Sequence, residues 1–260
     1  MKDCIFCGKD CVGNKRAKEH IIPRHIQKEY RLCRKKLAHA PAKMIKGDFW
    51  GGHISLLPID RELTFSGFLA GKVCEKCNNN WMSDLESKAQ RFIYQLIEGR
   101  LGLGECNEEE HDTLAKWAFK TSSVLSLSTN AAQNYVLPEH AREFGASLTH
   151  ELPTGVNVFG HTSKSSDFLW SLSPTWQVYA EGDISENVLS AMHKDSYKIF
   201  IQLGHLMLIT CYWPAENIKY TKEKIGISIH GEFIFSTEID SRRYIEKDCE
   251  YFLMSIGAYF

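Results

Sequence analysis

Residues 73–86, VCEKCNNNWMSDLE, decide how the rest of the chain is read. The stretch holds a Cys-x-x-Cys pair, Cys74 and Cys77, then three asparagines and the opening of a helix. A second pair, Cys4 and Cys7, lies in MKDCIFCGKD at the N-terminus. Two such pairs supply four thiolates, the ligand set of a closed tetrahedral zinc site. Gly8, next to Cys7, lets the backbone turn back toward a shared ion. The chain has 9 cysteines, and two close pairs in a reducing compartment read as metal ligands rather than disulfides. Cys11, Cys33, Cys106, Cys211 and Cys249 are scattered and read as ordinary buried thiols. A shared zinc would draw KEHIIPRH, residues 18–25, toward Asn78, Asn79 and Asn80.

Working outward, the 260 residues are 43% hydrophobic, enough for one large or two modest domains. No apolar run reaches the length of a bilayer span and the N-terminus carries no signal-peptide pattern, so a soluble, cytoplasmic protein is expected. The net charge of −1 conceals an asymmetry. Residues 14–46 hold 11 Lys/Arg against 2 Glu, whereas residues 84–260 hold 15 Lys/Arg against 24 Asp/Glu. A basic N-terminal module on an acidic body suits a polyanionic ligand, although a solvated basic segment would look the same.

Within the basic stretch, Glu19 and His20 precede the apolar Ile21-Ile22 and the stop at Pro23. Neighbours on a strand face opposite sides, so aiming both at one ion needs a bend or bulge. His25 and His39 read as surface or packed residues. Residues 26–73 form a long insertion of weak helical periodicity, then short strands and loops. Phe49 and Trp50 could stack on a base or cap a small core.

Ser83 with Glu86 predicts a capping box and a helix start, followed by Leu85, Ala89, Phe92, Ile93, Leu96 and Ile97 at helical spacing. Asn107 with Glu110 opens a second helix in the same way, with a stripe of Leu114, Trp117, Ala118, Thr121 and Leu125. A short helix follows Pro138. None of these stripes carries a cofactor signature. From about Gly155 the period changes to two. VNVFG, FLWSLS and WQVYAE read as strands, YKIFIQLGHLMLITCYW as a hairpin turning at Gly204-His205, and IGISIHGEFIFS as another turning near His230-Gly231. The fold class is therefore α+β: a zinc-stabilised domain over residues 1–100, then helices backing an antiparallel sheet over 101–260. The boundary is placed between residues 82 and 106, along a shared helix.

Cys-x-x-Cys, then Glu-His-Ile-Ile-Pro, then Cys-x-x-Cys-Asn resembles the zinc-knuckle branch of the HNH endonucleases. The resemblance covers residues 1 to about 90, and extends loosely over the chain to uncharacterised bacterial HNH-containing proteins. It implies a ββα-metal fold, two strands and a helix around one catalytic divalent ion. It implies that Cys4, Cys7, Cys74 and Cys77 hold structural zinc, that His20 is the general base, and that Glu19 and Asn78 hold catalytic Mg²⁺ or Mn²⁺. The segment LAGKV lacks the Asn that usually precedes the second Cys pair. Arg16, Lys18, Arg24, Arg34, Lys35 and Lys36 are the expected nucleic-acid contacts, giving affinity rather than sequence choice.

The expected function is metal-dependent hydrolysis of phosphodiester bonds, with DNA as substrate and restriction or anti-phage defence as the setting the superfamily suggests. Imidazoles titrate near neutral pH and can accept a proton from water. The alternative is a non-catalytic, zinc-dependent nucleic-acid-binding protein whose acidic half is regulatory. The C-terminal domain is a candidate surface for self-association or a partner protein.

Overall fold

The computed structural model describes residues 3–11, 15–37, 42–44, 54–56, 63–128, 136–164, 166–173, 178–179, 195–214, 219–222, 227–230, 233–235 and 256–259. His39, Phe49 and Trp50 lie outside them. The chain divides into two compact units, Met1–Asp84 with Ser123–Leu148, and Leu85–Ser122 with Thr149–Phe260.

The first unit begins with the Cys4–Cys7 turn and continues into β1 (Glu19–His20), α1 (Arg24–Glu29), β2 (Lys36–Leu37), β3 (Ala42–Met44), β4 (Ile54–Leu56), β5 (Leu63–Thr64) and β6 (Leu69–Ala70). The strands pair as three two-stranded antiparallel ribbons, β1 with β6, β2 with β5 and β3 with β4. One helical turn, α2 (Glu75–Cys77), follows β6. The backbone then passes through a wide π-type turn over Asn78–Met82, bent at Asn80 (φ −101°, ψ −110°), into α3 (Ser83–Ile97).

The helix α3 starts at Ser83 as expected, but Ser83 is not its N-cap. Its own backbone is already helical (φ −63°, ψ −40°), where an N-cap residue would be extended, because the wide turn over Asn78–Met82 leads the chain into α3. Glu86 is engaged instead by Lys120, whose Nζ lies 2.6 Å from Glu86 Oε1. The capping box of α4 (Glu108–Ser128) forms as expected: Asn107 N donates to Glu110 Oε2 and Glu110 N to Asn107 Oδ1, both at 2.9 Å. The expected stripe of α4 is buried, and so are the polar positions Lys120, Ser122 and Ser123 between its members. This is a helix enclosed round its circumference rather than along one face.

The last helix of the first unit is α5 (Pro138–Ala146). Trp81 meets Phe6 and Phe144 edge-on, with ring centroids 5.1 and 5.5 Å apart. Gly145 permits this approach: a Cβ there would stand 2.7 Å from Phe6 Cβ and overlap the Phe6 carbonyl.

The second unit holds β7 (Asn157–Thr162), β8 (Phe168–Ser173), β9 (Val178–Tyr179), β10 (Tyr197–Leu203), β11 (Leu206–Tyr212), β12 (Lys219–Lys222), β13 (Ile227–His230), β14 (Phe233–Phe235) and β15 (Ile256–Tyr259). Five of them form an antiparallel sheet in the order β13-β7-β11-β10-β8. The β10–β11 hairpin turns at Gly204-His205, with Leu203 opposite Leu206. Gly204 adopts φ +57° there, and His205 N donates to Ile97 O at 2.9 Å. The expected hairpin at His230-Gly231 does not form: β13 joins β7, while β14 joins β12 in a second sheet. That sheet, β14-β12-β15-β9, mixes parallel and antiparallel neighbours. Alternation identified both strands but not their partners, which are non-local. The fold is α+β, with mixed helix and predominantly antiparallel sheet. No helix among the described residues is long and apolar enough to cross a membrane.

Candidate functional site

The two Cys pairs converge. Gly8, at φ +67°, closes the first turn, with Gly8 N donating to Cys4 O and Cys4 N to Lys9 O, both at 2.9 Å. Three backbone hydrogen bonds tie the second pair to the N-terminal segment. Ile5 N donates to Lys72 O, Ala17 N to Val73 O and Glu75 N to Lys15 O, each at 2.9 Å, the last two making the antiparallel bridge of Arg16 with Cys74. The sulfurs of Cys4, Cys7, Cys74 and Cys77 all lie within 4.8 Å of one another. Cys7 Sγ and Cys74 Sγ are 3.7 Å apart. Thiolates about 2.3 Å from a tetrahedral zinc stand about 3.8 Å apart along each edge, whereas a disulfide would need about 2.05 Å. The spacing fits an ion and excludes a bridge.

The electrostatics of the four sulfurs are uneven. A hydrogen bond from the Cys77 thiol holds the Cys4 thiol down at about 4, against the opposing effect of burial; backbone N–H groups of Cys7, Cys74 and Phe6 reinforce it. The Cys74 N–H lies 3.4 Å from Cys4 Sγ. The same sharing pushes Cys77 up, and burial raises Cys7. Without an ion the cluster therefore favours one thiolate, at Cys4, and a metal would have to displace the protons of Cys7 and Cys77. These four cysteines could hold a metal ion such as zinc. They are the one group of three or more His, Cys, Asp and Glu among the described residues whose ligand atoms gather in this way.

Next in the first unit is a cleft of about 360 Å³ lined by Lys18, His20, Arg24, Gln27, Lys28, Cys33, Ser66 and Leu69. Its construction follows from the strand and helix periods. Lys18 and His20 are two residues apart on an extended segment and share a side. Arg24 and Lys28 are four apart on α1 and share a face. Leu69 is the register partner of His20 across the β1–β6 ribbon. Gln27 is buried and its Nε2 donates to Ile22 O at 2.6 Å, fixing α1 against the chain that leads into it. Ser66 Oγ donates to Cys33 O at 2.8 Å, which joins the two loop residues of the lining.

Glu19 is 8% exposed and is not among the residues lining this cleft. The β1 pairing is regular, Glu19 opposite Ala70 and His20 opposite Leu69, so the two side chains leave the strand on opposite sides. The bend required to aim both at one hydrated ion is not there. Asn78 sits on the wide turn, with its N–H on Cys74 O at 3.0 Å and its Nδ2 on Asn79 Oδ1 at 3.3 Å, and it too is outside the cleft lining. Nothing in this arrangement supports Mg²⁺ or Mn²⁺ held by Glu19 and Asn78 beside His20.

The basic residues divide similarly. Lys18 and Arg24 line the cleft. Arg16 donates through Nε to the Gly71 carbonyl and packs on that glycine, so its first task is to join the two Cys segments. Arg34 and Lys35 are exposed outside the cleft lining, and Lys36 lies in β2. Lys28, Cys33 and Ser66 were not singled out from the sequence. Lys28 was detectable by its four-residue spacing from Arg24; Cys33 and Ser66 arrive through a contact between segments 33 residues apart.

Comparison with family models, with curated proteins and with solved structures gave no match.

Proposed function

We propose that this protein is an endonuclease of the HNH type that hydrolyses phosphodiester bonds, with DNA as its expected substrate, in the cleft that holds His20. The observation that carries the reading is the company His20 keeps: Lys18, Arg24 and Lys28 line the same cleft. A phosphate there meets three cations, and the imidazole is the group able to take a proton from an attacking water. Removing such a base costs typically about 10²- to 10⁴-fold in rate.

Zinc bound by Cys4, Cys7, Cys74 and Cys77 would have a closed coordination shell, so it braces β1 and the helix start and takes no part in hydrolysis. The test is a plasmid-nicking assay with Mg²⁺, Mn²⁺ and Ni²⁺, using the parent protein and His20→Ala. Cleavage should be lost in the variant. Undiminished cleavage by His20→Ala would refute the assignment.

A second reading is favoured by the burial of Glu19. Without a carboxylate beside His20, the cleft would serve a zinc-dependent nucleic-acid-binding protein without catalysis. It predicts salt-sensitive binding and no cleavage with any of the three ions.

A further inference from the structure

We infer that the cleft around His20 is a phosphate-binding site in its own right, in which Lys18, Arg24 and Lys28 seat the anion directly and no divalent ion takes part in binding. This rests on the reading of the cleft as the nucleic-acid site, but not on catalysis.

The argument is one of charge and face. The described lining contains three permanent cations and no carboxylate. A hydrated divalent cation entering it would meet like charge on three sides and no anionic ligand. A phosphate meets the reverse. Arg24 offers a planar fork that can hold two phosphate oxygens at once, while the ammonium groups of Lys18 and Lys28 act as point charges. Their placement is built in. Lys18 shares a side with His20 because the two stand one strand period apart, and the one residue between them, the carboxylate Glu19, is thereby turned into the interior. Arg24 and Lys28 share the facing side of α1, whose position is held by Gln27 and the Ile22 carbonyl. The strand alternation that removes the expected ion ligand therefore also purges negative charge from the cleft. All three cationic residues are exposed, so anion binding needs no opening of the core.

The experiment uses the full-length, zinc-loaded chain and a fluorescent DNA oligonucleotide. Binding is followed by anisotropy at constant ionic strength, with and without Mg²⁺, and inorganic phosphate serves as competitor. Affinity should be the same within about twofold in both conditions, and phosphate should displace the oligonucleotide. Lys28→Gln should flatten the slope of log affinity against log salt by about 0.7 to 0.9, the loss of one phosphate contact. Arg24→Gln should do the same, with zinc content and thermal melting unchanged in both variants. A tenfold or greater gain in affinity on adding Mg²⁺ would overturn the inference, as would salt slopes unaltered in both variants. Cleavage separates this from the preceding section: Mg²⁺-independent binding without cleavage leaves the phosphate site and removes the nuclease, whereas His20-dependent cleavage with Mg²⁺-dependent binding does the opposite.

Discussion

Replacing Cys77 by Ser tests the metal centre most directly. Structural zinc in small domains contributes about 10–16 kcal/mol spread over four ligands, or about 2.5–4 kcal/mol for each thiolate. For a unit of roughly one hundred residues, about 4 °C accompanies each kcal/mol, and the variant should melt more than about 10 °C below the parent. Two measurements check this. Zinc is assayed by a chromogenic chelator after denaturation, with one ion expected per parent chain and a large loss in Cys77→Ser. Melting is followed by tryptophan fluorescence, in which Trp81 reports on the first unit through its contacts with Phe6 and Phe144. Cys106→Ser is the control, since that buried thiol is outside the four-sulfur group. A parent protein purified without zinc, or a Cys77→Ser protein that keeps its zinc and melts with the parent, would refute the reasoning.

Three further outcomes follow from the packing. Burial depresses Lys198 to about 8 from an ordinary 10.5, with Cys211 opposing, so the charged form costs about 3 kcal/mol in the fold at neutral pH. That cost is complete below pH 8 and vanishes as pH rises to 10.5; Lys198→Met should therefore stabilise the protein at pH 7, with the gain shrinking over that window in urea titrations. Glu86→Gln removes the carboxylate 2.6 Å from the fully buried Lys120 ammonium and should cost about 3 kcal/mol, whereas the double change Glu86→Leu with Lys120→Met should be close to neutral. Gly204→Ala combines a left-handed backbone, at φ +57°, with a Cβ 2.9 Å from Ile97 Cγ2. It should cost about 2–5 kcal/mol, read as a lowered denaturation midpoint.

Signals carried by neighbours in the chain were legible in the sequence. The Cys spacing predicted the four-sulfur group, Asn107 with Glu110 predicted a cap, and Gly204-His205 predicted a turn. In each, the partners are either a few residues apart or tied by a ligand set that spacing alone constrains. Ser83 marked the start of α3 but not its cap, because the wide turn that precedes it already holds Ser83 in helical backbone. The His230-Gly231 hairpin failed because a period of two gives the face of a strand but not its neighbour. At the cleft, strand alternation correctly separated Glu19 from His20, while the resemblance required them to act together. Lys28 stood within reach of a helix-face argument. Cys33 and Ser66 did not, since nothing near either residue indicates the other.

The first unit is assembled from two separate lengths of chain, Met1–Asp84 and Ser123–Leu148. During synthesis the four thiols are complete once Cys77 has emerged, so metal capture can come early. The aromatic contact of Trp81 with Phe144 must wait until α5 has been translated. Until then Phe6 and Trp81 lack their cover, and a truncated chain of residues 1–100 would keep that apolar surface open permanently. Such a fragment should aggregate in place of behaving as a miniature of the parent.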